Sequence, residues 1–357
     1  MIQVPKFLAT GIGSVPFRNP EEAVRLILSS LPEAPHWPQM PRLGFLEQME
    51  VQYSEFLPCA VIDSEKKRLY FDTAGDYSEA FAQFYETYLL AMDPDEGSGD
   101  CSGAALSRNY ATGFHAFTEA LDGEERRFPF VKGQVVGPCS FSLTVVDENK
   151  RAIYYNESFR DVIVKGLSMN ARWQVQALKA HARQVLCFID EPILSAFGSS
   201  TYVAVKREDV VQLLADMVAA VHADGGLAGC HCCGNTEWSI LVDAGVDIIS
   251  FDAFQYGETV AMYADAVRAH LESGGMLAWG VVPTSPAIRE QSVAGLSARF
   301  EQVMNHLAAK GIDKEWIVER ALVTPSCGTG SMSPEDAVLV YERLAALSAA
   351  MRKTYGG

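Results

Sequence analysis

Short apolar runs alternate with longer amphipathic stretches along most of this 357-residue chain. That alternation predicts an α/β fold on a parallel sheet, because parallel neighbours need a helical crossover between them. Residues 7–12, 130–136, 185–189, 227–231, 247–251, 276–282 and 321–324 read as strands, with a weaker one at 68–71. Eight is the number that a (β/α)8 TIM barrel requires, so the expectation is one barrel spanning residues 1–357 as a single domain. Helical periodicity covers 20–30, 47–56, 78–92, 159–183, 207–223, 260–273, 295–309 and 334–351. Pro334 suits the first turn of the last of these, with Ser333 as its N-cap. Two segments lie outside a minimal barrel. Residues 93–103 are acidic and Gly-rich, and read as a loop. Residues 140–157 read as a hairpin insertion with a polar turn at Asp147-Glu148-Asn149-Lys150. It either covers the site or is a surface elaboration.

A net charge of −16, from 45 acidic and 29 basic side chains, argues against nucleic acid, whose phosphates demand Lys and Arg. It argues equally against anionic membrane surfaces. No apolar run reaches the ~18 residues of a membrane span. The start, Met1-Ile2-Gln3-Val4-Pro5-Lys6, lacks the basic-then-apolar order of a signal peptide. Eight cysteines without a disulfide-scaffold spacing fit a reducing compartment, so a cytoplasmic protein is expected.

Polar or ligand-type residues recur where successive apolar runs stop. In order these are Gly11-Ile12-Gly13-Ser14, Gly137-Pro138, Asp190-Glu191-Pro192, His231-x-Cys233, Asp252, Val282-Pro283-Thr284 and Cys327. Barrel enzymes build their sites at these C-terminal strand ends. Residues i and i+2 of a strand share a face, so His231 and Cys233 project together. With Cys327 from a second strand end they supply three zinc ligands and leave a position open, the mark of a reactive zinc site and not a structural one. Cys230 and Cys232 alternate to the other face and are expected to pack.

The constellation resembles the catalytic domain of cobalamin-independent methionine synthase, within the uroporphyrinogen decarboxylase-like barrel superfamily. The resemblance runs from Thr10 to about Ala337. Thr10-Gly11-Ile12-Gly13-Ser14 looks like the opening T-x-I-G-S. Val131-Lys132-Gly133-Gln134-Val135-Val136-Gly137-Pro138 looks like K-G-x-x-T-G-P, and Phe188-Ile189-Asp190-Glu191-Pro192 like Q-I-D-E-P. Asp247-Ile248-Ile249-Ser250-Phe251-Asp252 looks like D-V-I-T-I-E, whose Glu completes the zinc site. The form His-x-Cys-Gly-x-Thr is also similar to methylcobalamin:coenzyme M methyltransferases. The resemblance implies zinc held by His231, Cys233 and Cys327, with Asp252 either as an exchangeable fourth ligand or as a partner orienting His231. It implies an amino-acid thiol held by Ser14 and the backbone of Ile12 and Gly13, with Asp190 on its ammonium. Glu47 is either a second carboxylate for that substrate or a helix-start Glu, and Glu191 either serves the site or braces its turn.

Two departures from the family bear on the methyl donor. The family's second, N-terminal barrel is missing from the sequence. Its G-V-x-D-I-H-S stands here as Gly280-Val281-Val282-Pro283-Thr284-Ser285, without the His. A folate amine leaves only with an acid's help, whereas cobalt(I) leaves without a proton. The expectation is a zinc-dependent methyltransferase that turns a thiol, homocysteine first, into a zinc thiolate and methylates it from methylcobalamin, free or on a corrinoid protein. A coenzyme M-type transferase, a decarboxylase and a non-enzymatic zinc- or corrinoid-binding module are the alternatives.

Overall fold

The computed structural model describes residues 4–92 and 99–356. Its strands are β1 (Leu8–Ala9), β2 (Ala60–Asp63), β3 (Arg68–Phe71), β4 (Phe128–Val136), β5 (Val146–Asp147), β6 (Ala182–Asp190), β7 (Leu227–Cys232), β8 (Ile248–Phe251), β9 (Met276–Val282) and β10 (Ala321–Pro325). Seven of them form one curled sheet in the order β1-β10-β9-β8-β7-β6-β4. Every neighbouring pair is parallel. This is the seven-strand part of the expected barrel.

The eighth expected strand, β3, lies elsewhere. It pairs with β2 and β5 in a separate three-stranded sheet. The gap between β1 and β4 is bridged instead by residues 33–39. Trp37 N–H donates to the Lys132 carbonyl and Gln39 N–H to that of Gly13, while Phe130 and Lys132 N–H donate back to Glu33 and Pro35. Single bridges join His36 to Lys132 and Ser14 to Gln39. Prolines at 32, 35, 38 and 41 remove donors at intervals, so the segment cannot form a continuous ladder.

Period-two alternation sets the inner face. Leu8, Phe130, Leu186, Phe188, Leu227, Ile248, Ala278 and Leu322 pack with Ala34 as one buried cluster. Further along the same face come Lys132 and Gln134, Asp190, His231, Ser250 and Asp252, and Thr324. The apolar residues therefore form a floor, and the polar ones stand toward the C-terminal strand ends.

Helices pack outside. Pro20–Ser30, Ser78–Met92 and Arg207–Ala223 keep the bounds read from the sequence. Thr112–Asp122 is a helix the sequence reading missed. Ser333 caps Pro334–Tyr355, accepting from Asp336 N–H at 3.1 Å. No helix among the described residues is long and apolar enough to cross a membrane.

The expected hairpin over 140–157 is corrected. Pro138–Thr144 is a helix and β5 pairs in parallel with β3; of the hairpin only the polar turn remains, closed by one antiparallel bridge between Val146 and Ala152. The β-branched run gives way because Phe141 and Leu143 bury on a helix whose first N–H groups already have an acceptor in Glu191. Of the expected loop, 93–98 lie outside the described residues, and Ser102–Ala104 forms a 3-10 turn.

Candidate metal centre and acceptor pocket

The Thr10–Ser14 turn carries no bulk where it needs close approach. A Cβ on Gly11 would meet the His36 ring at 2.2 Å, and one on Gly13 would meet the Gln134 amide at 3.0 Å. His36 is itself fixed. Its Nδ1 lies 2.9 Å from the Trp37 carbonyl, which only accepts, so Nδ1 carries the proton and Nε2 accepts from Tyr341 Oη at 2.7 Å. On the other side, Ser14 clasps the loop after Cys327. Thr329 N–H donates to the Ser14 carbonyl and Gly330 N–H to its hydroxyl. A Cβ on Gly328 would lie 2.1 Å from that hydroxyl.

These pieces enclose a cavity of about 310 Å³ lined by Ile12, Gly13, Ser14, Asp190, His231, Cys233 and Cys327 among others, a size that suits a small molecule. The ligand atoms of His231, Cys233 and Cys327 lie within 4.8 Å of one another. His231 Nδ1 sits 2.9 Å from Ser250 Oγ, and its Nε2 is buried with no partner. One imidazole nitrogen is thus oriented and the other left bare, as a metal ligand requires. The Cys327 thiol beside it, then the nearby His231 ring, holds the Cys233 thiol far below its ordinary value, and the same contact with Cys233 pushes Cys327 up. The set is one imidazole and two soft sulfurs, which fits zinc.

Asp190 presents a buried Oδ1 with no partner to the same cavity. Burial raises its carboxyl to about 6, against the pull of Lys132 and His231. Asp252 stays outside the three-ligand group. Its Oδ1 accepts from Gln255 N–H at 2.8 Å, and burial raises it to about 6. Nor does Asp252 orient His231, since Ser250 holds the free nitrogen.

Glu47 is not among the residues that line the cavity, though Gln48 and Met49 are, and its Oε2 is buried without a partner. Its Oε1 accepts from Thr112 N–H at 2.9 Å, at the start of a helix, and burial raises its carboxyl. Glu191 is fully buried and braces Gly137-Pro138 by accepting from Cys139 N–H, Ser140 N–H and Ser140 Oγ at 2.7–2.8 Å. Cys230 stands three residues before Cys233, a dithiol spacing, but it packs with Cys232 in the outer core. All eight cysteines are free thiols. No residue of 140–157 lines the cavity.

Sequence reading passed over Ser250, Gln134 and Tyr53. Ser250 was findable, since it shares a strand face with Ile248 and Asp252. Tyr53, whose hydroxyl donates to the Gln134 carbonyl, lies in the stretch 47–56 read as helical, of which only Met49–Gln52 is α-helix with Tyr53 as its C-cap, and that periodicity does not mark it as a site residue.

The fold has known counterparts. It is similar to a methyltransferase from Methanosarcina mazei, with a TM-score of 0.55 and 14% identity over 99% of this chain and 95% of that one. It is also similar to a B12-independent methionine synthase from Shewanella sp. W3-18-1, solved in complex with selenomethionine, with a TM-score of 0.53 and 12% identity over 98% of each chain. The likeness is one of fold. No protein-family profile and no curated protein sequence matches the chain.

Proposed function

We propose that this protein is a zinc-dependent methyltransferase acting on an amino-acid thiol, homocysteine first, with a methyl-corrinoid as donor. One observation carries the reading: the bare Nε2 of His231, the two sulfurs and the unpartnered Oδ1 of Asp190 all face one cavity. The two structural neighbours, one described as a methyltransferase and one as a B12-independent methionine synthase, support methyl transfer, while the corrinoid donor rests on the Val282-Pro283-Thr284 loop alone.

His231, Cys233 and Cys327 would hold the zinc. When bound, zinc makes a thiol a thiolate at neutral pH while leaving it nucleophilic. Asp190 takes the substrate ammonium, and Ser14 with the Ile12 and Gly13 backbone takes its carboxylate. These contacts aim the sulfur at the metal end of the cavity. The S–CH3 bond forms from the sulfur's electron pair, and the donor–CH3 bond breaks with its pair left on cobalt. The thiol proton goes to solvent. A departing folate would need an acid. His231 is the one His lining the cavity among the described residues, and the Thr284 hydroxyl is held by Ser326 Oγ at 3.1 Å. Chain length does not bear on the donor, because a neighbour described as B12-independent is matched over 98% of its chain.

The test joins metal analysis to turnover under reducing, anaerobic conditions. We expect about one zinc per chain, most of it lost in Cys327→Ser without loss of fold, and methionine from homocysteine and methylcobalamin. Full zinc in Cys327→Ser would sink the ligand assignment. Faster turnover with methyltetrahydrofolate would replace the donor. Zinc-loaded protein inert with every donor and thiol would leave a zinc-binding module.

A further inference from the structure

Lys132 is the most deeply buried cation among the described residues, at 0% exposure against 8% for Arg172. Arg172 has a carboxylate partner, Asp224 at 2.7 Å. Lys132 makes no such pair. Its ammonium donates to the Ile12 carbonyl at 2.5 Å and to Gln134 Oε1 at 3.2 Å, and lies 4.6 Å from the centre of the Phe188 ring. Burying an ammonium costs several kcal/mol in general, and an apolar residue of like volume usually fills such a place at no loss of stability. Packing alone does not account for a lysine here.

Its surroundings point to the pocket above it. Ile12, Gln134 and Asp190 all line the cavity, and each feels this ammonium. Lys132 is the strongest charge drawing the Asp190 carboxyl back toward its ordinary value. In a trans peptide the C=O and the following N–H point opposite ways. The Ile12 carbonyl is drawn to Lys132, so the Gly13 N–H faces away from it, and no described residue accepts from that N–H.

We propose that Lys132 is a positioning residue of the acceptor subsite. From the polar layer above the apolar floor it fixes the Ile12 carbonyl and the Gln134 amide, and it supplies the counter-charge of Asp190. This rests on the reading that Asp190 and residues 12–14 hold an amino-acid thiol. The two opposite charges, Asp190 at the cavity and Lys132 under the 12–14 turn, match the ammonium and carboxylate of a zwitterion. The subsite is therefore specific for thiols carrying both groups, and it discriminates against a thiol carboxylate without an amine and a thiol amine without a carboxylate.

The experiment is calorimetric binding of L-homocysteine to the zinc-loaded full chain, with 3-mercaptopropionate and cysteamine as single-charge probes. Lys132→Met should raise the homocysteine Kd by ~tenfold or more while zinc content stays at the wild-type level. Lys132→Gln keeps a donor for Ile12 without the charge and should lose less. The wild type should bind both probes far more weakly than homocysteine. A purely structural lysine would shift Tm and leave Kd alone. Either variant binding within about twofold of wild type overturns the proposal, and Lys132→Gln decides if Lys132→Met does not fold. A wild type that binds no homocysteine would overturn the acceptor reading as well, which separates the two failures.

Discussion

Ser250 decides which nitrogen of His231 is left to face the cavity. Its Oγ, 2.9 Å from Nδ1, is the one partner the ring has, and Nε2 is bare. Partners of this kind fix tautomer and ring direction, and losing one typically costs 10–100-fold in metal affinity. Ser250→Ala should therefore fold normally and bind zinc ~10–100-fold more weakly, as read by competition with a chelator. An unchanged affinity would mean that the ring is held by its strand alone. Asp252, one residue past β8, spends an oxygen on Gln255 N–H, so Asp252→Asn should leave zinc affinity much closer to wild type than Ser250→Ala does.

The last helix, Pro334–Tyr355, shows how an element is fixed at its first turn. Ser333 accepts from Asp336 N–H, Pro334 occupies a position that needs no donor, and Arg289 grips Asp336 through two bonds of 2.7 and 2.9 Å. Ser333→Ala should cost ~1 kcal/mol, measured by denaturant unfolding. Arg289, then the Ser333 hydroxyl, holds the Asp336 carboxyl below its ordinary 3.8. A lowered value in the folded state means a contribution that is present above the unfolded value. It is lost as pH falls from there through the folded value. The stability gap between wild type and Asp336→Asn should thus close below about pH 4. A gap that widened with acid would reverse the sign.

Across the whole molecule the weak line of the sheet runs along residues 33–39. Elsewhere strands share ladders such as β4 with β6, paired from Phe128 to Val136. Here two separate bridges and a few backbone bonds do the joining, aided by Thr10 Oγ1 donating to the Ala34 carbonyl at 2.9 Å. Local opening follows the density of such bonds. The amides of Trp37 and Gln39 should exchange with solvent well before those of Cys187 to Ile189 in native-state hydrogen exchange. Equal protection would show that the seam opens only with the whole sheet. The site has a stake in this line, because the Trp37 carbonyl accepts from Gln134 Nε2 at 3.0 Å.

The sequence by itself determined seven strands, their parallel sense and the face on which His231 stands. Short apolar runs and the helical stretches between them are local signals, and they hold where a strand buries both faces. It also brought out His231, Cys233, Cys327 and Asp190, because ligand-type residues at successive strand ends have few other reasons to recur. It could not show that residues 33–39 bridge the sheet, since prolines erase the strand signal and the bonds come from β4 and the Thr10–Ser14 turn. Nor could it tell where Glu47, Asp252 and Glu191 spend their oxygens. A carboxylate takes the nearest buried N–H, and Thr112, Gln255, Cys139 and Ser140 come near only when the chain has folded. The partnering of Ser250 with His231 and of Lys132 with Ile12 was likewise a tertiary decision. Each joins residues from different strand ends, and burial, which makes an unpaired polar group costly, selects those pairs only in three dimensions.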